Sequence, residues 1–202
     1  NIKLLSSSME TSIETAKKIE LASKFAKLDI YRAATHNKGI FNGIDAVVIA
    51  TGNDWRAIEA GGNAFAVKNG KYEGLTTWTF DESTNKLKGE LTLPMPIASV
   101  GGSIGLNPSV KAAFNILGNP DARTLASIIT SVGLAQNFAA IKALVTTGIQ
   151  HGHMKLQARS LALFAGAEGK EIDIAVERLL ESGKNINLEN VKEILEEIKK
   201  AE

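Results

Sequence analysis

The sequence predicts an α+β fold: a mainly helical core holding a β-hairpin or small sheet, followed by a three-helix carboxy-terminal flap. Three observations carry this. Apolar residues recur at helical spacing over most of the chain. One stretch, Leu75 to Leu93, is instead rich in Thr, Trp, Phe and Leu, with turn residues Asp81 to Asn85 in its middle. A glycine-marked break, Gly148 to Gly152, precedes three short amphipathic periods punctuated by Gly166, Gly169 and Gly183. The expected division is therefore 1–147 and 148–202.

The elements follow in order. Ile2 to Leu5 reads as a short strand ending in Ser6-Ser7-Ser8. From Thr11 to about Leu28 the positions Ile13, Ala16, Ile19, Leu21, Ala22, Phe25 and Ala26 give a helix, with Thr11 or Ser12 as its cap. Asp29 to Asn37 reads as a polar connector. Ile40, Ile44, Val47 and Val48 then share one helical face, and Gly52 is a natural stop. Asn53-Asp54 caps a further helix from Trp55 to about Val67, ended by Asn69-Gly70. After the Leu75–Leu93 hairpin, Pro94 and Pro96 close the strands, and Ser99 to Gly105 is a glycine-rich connector. Asn107-Pro108 is a cap followed by proline at the first helical position, with Gly118 ending that helix. Asp121 opens a long helical pattern running to about Thr147. The last three helices are expected at Met154–Ala165, Glu171–Ser182 and Leu188–Lys200.

Composition narrows the function classes. The chain has 202 residues, 44% hydrophobic and 22% charged, an ordinary globular balance. The net charge of +1 gives no electrostatic case for nucleic acid or an anionic membrane. The absence of cysteine excludes a disulfide framework and a thiolate nucleophile. No uninterrupted apolar run approaches the roughly 20 residues that span a bilayer. The start at Asn1, without Met or a signal-peptide layout, gives the expectation of a processed or excerpted chain.

Four clusters are candidates for chemistry. Lys38 and Asn42 are four apart and share a helical face, with Arg32 just upstream as a carboxylate ligand. A lysine near a helix start opposes the dipole and calls for an anionic partner, so either a solvated surface lysine or an active one fits. Asp54 is a helix cap that also has the chemistry to face Lys38. His151 and His153 lie two apart, without the pattern of a metal site, so no metal is expected. An imidazole opening a mobile segment suits a general acid, and the commoner reading is an ordinary surface histidine. The glycine-rich stretch Ser99–Gly105 suits backbone approach to an anion, or is only a turn.

Taken together, longer blocks resemble the bacterial (class II) 3-hydroxy-3-methylglutaryl-coenzyme A (HMG-CoA) reductases. These are Arg32-Ala33-Ala34-Thr35-His36-Asn37-Lys38-Gly39-Ile40, then Asn42 to Ala46, Ala50 to Gly61, Leu75 to Trp78, Val132 to Asn137, and Gly148 to Leu156. The resemblance runs from about Tyr31 onward. It implies that 1–147 is the carboxy-terminal part of a large substrate-binding and catalytic domain, and that 148–202 is a helical flap carrying a catalytic histidine. It implies an NADPH- or NADH-dependent, four-electron reduction of HMG-CoA to mevalonate and coenzyme A. Lys38 matches the family's oxyanion-stabilising lysine, Asp54 the aspartate that tunes it, and His153 the flap histidine that protonates the departing thiolate. Arg32 and Asn42 match residues that hold the hydroxymethylglutaryl portion. The resemblance further implies a cytoplasmic homodimer, or a multiple of it. His151 stands where the family usually has Lys or Arg, and Ser103-Ile104 departs from its glycine-loop pattern. The family's catalytic glutamate and nicotinamide-binding part lie outside this chain. A non-catalytic scaffold derived from such an enzyme is the competing expectation, with a different acyl-thioester enzyme behind it.

Overall fold

In a computed structural model, the chain forms two compact units, residues Asn1–Thr146 and Thr147–Glu202. The structure describes residues 1–202 except 103, 147, 184, 201 and 202, and leaves the side chains of 2, 149–153, 199 and 200 undescribed. The architecture is α+β, helical with two small two-stranded antiparallel sheets.

The first unit opens on a 3₁₀ turn, Ile2–Leu4, in place of the expected strand. Helix α1, Met9–Leu28, is capped by Ser8 rather than Thr11 or Ser12. Thr11 is instead the residue whose N–H donates to the Ser8 hydroxyl, at 3.2 Å. The expected polar connector at Asp29–Asn37 does not form. Helix α2, Ile30–Ala50, follows α1 after the single residue Asp29, whose carboxylate accepts the Arg32 N–H at 2.6 Å. The reason is tertiary: His36 and Asn37 look polar along the chain but are buried and hydrogen-bonded, so they belong to the inner face with Ala33, Ile40 and Ile44. Gly52, at a φ of 70°, ends this region as expected.

Helix α3, Trp55–Phe65, is capped by Asp54. It stops short of Val67, because strand β1, Val67–Lys68, pairs with β2, Lys71–Tyr72, across Asn69-Gly70. Two positive φ values there, 51° and 77°, suit a tight hairpin turn. The expected larger hairpin is present as β3, Thr76–Asp81, and β4, Lys86–Leu91, in the register Thr76 opposite Leu91. Its buried residues alternate as Thr76, Trp78 and Phe80. The free edge of β3 is covered by α1: the Trp78 N–H donates to Ser23 Oγ at 3.0 Å and the Phe80 N–H to Glu20 Oε2 at 3.3 Å. Helix α4, Pro108–Ile116, has Asn107 as its cap, and α5, Ala122–Val145, has Asp121.

Helices α2 and α5 form the centre. A Cβ on Gly43 would lie 2.8 Å from Gln136 Cβ, and one on Gly133 would lie 2.7 Å from Ile44 Cγ1. These two glycines set how closely the helices approach. One core cluster joins Ile40, Phe41, Ile44 and Val48 to Ile58, Val110, Phe114, Leu125 and Ile129. A second joins Leu5, Ala16, Ile19, Trp78, Phe80 and Ile141. By length and composition alone, α5 is apolar enough to cross a membrane. In this unit it supplies Leu125, Ile129, Asn137 and Ile141 to the interior.

The second unit is three helices: α6, Ile149–Phe164, α7, Lys170–Glu181, and α8, Leu188–Lys200. Helix α6 begins at Ile149, earlier than the expected Met154, so the break is confined to Gly148, at a φ of 83°. Gly152 is helical. The core here is aliphatic: Ala158, Ala162, Val176, Leu179, Val191 and Leu195 are among its buried residues.

Candidate active site

The inner face of α2 fixes the direction of its outer face. Successive helical residues are turned by about 100°. With Ala33, His36, Asn37, Ile40 and Ile44 buried, Lys38 and Asn42 fall on the exposed side, one turn apart. Lys38 lies more than about two turns inside α2, so the expectation that it sits near a helix start is corrected. The dipole argument therefore does not apply to it. Arg32 is in the first turn, half-buried. Its Nη1 donates to Thr35 Oγ1 at 2.7 Å, its buried Nε has no partner, and burial lowers its proton affinity.

Asp54 is exposed at the head of α3. Its Oδ1 accepts the Arg56 N–H at 3.0 Å and Arg56 Nε at 3.3 Å. The Arg56 side chain, then its backbone, holds the Asp54 carboxyl below the usual carboxylate range. The expected Lys38–Asp54 contact is not among the ion pairs of the described residues; Asp54 pairs with Arg56 instead. His153 stands at the start of the second turn of α6, in the other unit. Its side chain lies outside the described residues, as does that of His151.

Two asparagines bind distant main chain in a way the sequence reading did not foresee, and each immediately precedes a candidate catalytic residue. Asn37, before Lys38, donates from Nδ2 to Glu73 O at 2.9 Å and accepts the Leu75 N–H at 2.8 Å. Asn53, before Asp54, donates to Ala98 O at 3.0 Å and accepts the Ala98 N–H at 2.7 Å. In both cases a side-chain amide pairs with a passing main chain as a strand would. The Asn53 staple fastens the segment leading into the glycine-rich stretch. There Gly101 and Gly102 have φ of 90° and 55°, and a Cβ on either would meet nothing within 4 Å. Their backbone is open to approach. The only hint along the chain was an asparagine next to each charged candidate.

Behind Lys38 lies a buried polar cluster. His36 Nε2 is 2.5 Å from Thr76 Oγ1, and the Thr76 hydroxyl is 2.8 Å from Asn137 Oδ1. Trp78 Nε1 donates to the same oxygen at 2.8 Å, and Asn137 Nδ2 lies 3.3 Å from His36 Nε2. Burial, then the nearby Arg32 and Lys27, pushes His36 down to about 3, so it is neutral at physiological pH. On the opposite part of α2, burial and then Glu59 push the Asp45 carboxyl up to about 6.

An exposed lysine and asparagine one turn apart on a helix whose other face is locked have the chemistry to receive an anionic ligand. The chain belongs to the hydroxymethylglutaryl-coenzyme A reductase family, whose sequence pattern matches residues 2–158. It is 50% identical over 186 residues to the 3-hydroxy-3-methylglutaryl-coenzyme A reductase of Archaeoglobus fulgidus, covering 92% of this chain and 42% of that protein. To the probable reductase of Borreliella burgdorferi it is 38% identical over 179 residues, covering 89% and 41%. Its fold matches the Streptococcus pneumoniae reductase with a TM-score of 0.72 and 61% identity, over 98% of this chain and 47% of that one. A structure of the class II pneumococcal enzyme bound to NADPH in open conformations matches with a TM-score of 0.71 and 62% identity, covering 98% and 48%. The chain thus spans somewhat under half the length of these relatives.

Proposed function

We propose that this chain supplies the carboxy-terminal part of a class II HMG-CoA reductase, which reduces HMG-CoA to mevalonate and coenzyme A in the mevalonate pathway. The observation that carries the reading is the exposed pair Lys38 and Asn42 on α2, within the stretch that the family's sequence pattern matches. Each residue then has a role. Lys38 donates to the carbonyl oxygen as negative charge develops on it in either reduction. Asn42 and Arg32 hold the hydroxymethylglutaryl end, Arg32 through its partly unpartnered guanidinium. Asp54 tunes Lys38, a role that requires the two to approach more closely than here. His153 protonates the thiolate leaving as coenzyme A. In this reading residues 148–202 are the flap that brings it.

The open backbone at Gly101 and Gly102 fits one edge of a nicotinamide site. Bound NADPH, or NADH, would supply the hydride, and the remainder of its site is expected from sequence that the relatives carry and this chain does not. The setting is cytoplasmic and the assembly a homodimer or a multiple of it.

The test uses the complete enzyme carrying this segment. HMG-CoA should drive nicotinamide oxidation, with two reduced nicotinamides consumed per free thiol released. Running NADPH and NADH in parallel decides the preference. Absence of turnover with either would favour a non-catalytic scaffold. His153→Gln separates the half-reactions, because thioester reduction expels a thiolate and mevaldehyde reduction does not. The expected result is a loss of about a hundredfold or more with HMG-CoA and near-normal reduction of mevaldehyde. Equal losses would remove His153 from the leaving-group role.

A further inference from the structure

Three blocks that carry the family resemblance meet in the interior, away from the reacting groups. His36 and Asn37 come from the first, Thr76 and Trp78 from the hairpin block, and Asn137 from the α5 block. All five are buried. The two bonds to the Asn137 oxygen have an assigned direction, and the contacts at His36 Nε2 follow the ring's tautomer. The Trp78 indole N–H can only donate, so the Asn137 oxygen must face it, which fixes the amide. The Asn137 nitrogen then faces His36 Nε2, and the Thr76 hydroxyl lies against both. Asn37, the next residue on α2, is held independently by the main chain of Glu73 and Leu75.

We propose that this buried cluster, with the Asn37 staple, sets the rotation of α2 about its axis and thereby aims Lys38. His36 and Thr76 are positioning residues. Lys38 projects about 200° around the helix from His36 and about 100° from Asn37. Its direction is therefore determined once His36 is fixed from α5 and β3, and Asn37 from the main chain between β2 and β3. Apolar packing at Ile40 and Ile44 limits the distance between helices but tolerates small rotations, whereas hydrogen bonds do not. The scale matters. At a side-chain radius of about 6 Å, a turn of about 10° displaces a group by about 1 Å. A misplacement of about 1 Å is worth on the order of a hundredfold in rate.

The inference rests on the role proposed for Lys38, and the experiment separates the two. Thr76→Val keeps the shape of the side chain and loses the hydroxyl; Thr76→Ser keeps the hydroxyl and loses the methyl. Both are measured in the complete enzyme, with kcat normalised to folded protein by near-UV circular dichroism and both melting curves recorded. Positioning predicts that kcat follows the hydroxyl: at least about tenfold lower for Val and within about threefold of wild type for Ser, whatever the order of melting temperatures. A merely structural cluster would lower the melting temperatures and leave kcat per folded molecule unchanged in both. Crystal structures of the two variants give the geometry directly, with α2 turned in Thr76→Val and not in Thr76→Ser. If α2 keeps its rotation in Thr76→Val, the proposal is overturned. If α2 turns but the wild-type enzyme does not reduce HMG-CoA, the positioning stands and the proposed activity fails. Should Thr76→Val not fold, Trp78→Phe carries the same measurements, since it frees the Asn137 amide while keeping an aromatic ring against Phe138.

Discussion

The two units solve the interior differently. Among the described residues, the first buries eight polar side chains, Ser12, Thr15, Ser23, His36, Asn37, Thr51, Thr76 and Asn137, and the second buries none. The second unit is held by aliphatic side chains at helical spacing, from Ala158 on α6 to Ile198 on α8. Apolar burial is large and non-directional; hydrogen bonds add little net stability but fix orientation. The first unit therefore uses an interior suited to aiming side chains, and the second one suited to holding three helices together.

The largest expected effect falls on the face that the polar interior aims. Lys38 is exposed and makes no ion pair among those of the described residues, so Lys38→Ala should leave the melting temperature of the complete enzyme within a degree or so. It should lower kcat by about a hundredfold to a thousandfold, the scale of losing one oxyanion donor. Steady-state kinetics and a thermal melt on the same sample decide it. Near-normal turnover would remove Lys38 from the chemistry.

The mirror experiment is in the second unit. Leu179 on α7 is 1% exposed and lies in the aliphatic core. Leu179→Ala should cost about 3 kcal/mol, through lost burial and the cavity left behind. Hydrogen exchange should rise across α6, α7 and α8 and stay unchanged in α2 and α5. Deprotection spreading equally into the central helices would show that the units do not unfold separately.

The same contrast explains what was legible in the sequence. The second unit's helices were, because an aliphatic core writes its period directly: α8 is found at Leu188–Lys200 as expected. So were Asp54 and Asn107 as caps, since a cap acts on its own chain neighbours. The first half of α2 was not. His36 and Asn37 look like connector residues until Thr76, Asn137 and the Glu73–Leu75 main chain, distant in sequence, supply their partners. The short β1–β2 hairpin was missed because two-residue strands leave no alternation to read. Of the site, residue identities came from the blocks and their spacing. The Asp54–Arg56 pairing did not, because a partner two residues away competes with one across the fold.

The smallest effect is a change of sign with pH, and it probes the one carboxylate that the first unit holds at a disadvantage. Burial and then Glu59 raise Asp45 from 3.8 to about 6, and Asp45 Oδ1 has no hydrogen-bond partner. A folded-state pKa above the unfolded one means that the folded protein holds the extra proton between about pH 4 and pH 6. The stability Asp45 contributes is therefore fully present below about pH 4 and is lost as the pH rises through about 6. His36 runs the other way, because its lowered pKa makes the fold lose stability as the pH falls from 6.5 towards about 3. Comparing Asp45→Asn with wild type cancels the His36 contribution and leaves the Asp45 contribution alone. Asp45 is only partly buried, so solvent screening reduces the full linkage value to about 1 kcal/mol. Urea melts at pH 4 and pH 7.5 should show the Asn variant level with wild type at the lower pH and more stable at the higher. A stabilisation that is the same at both pH values would mean that the carboxyl's charge is not what the fold resists at Asp45.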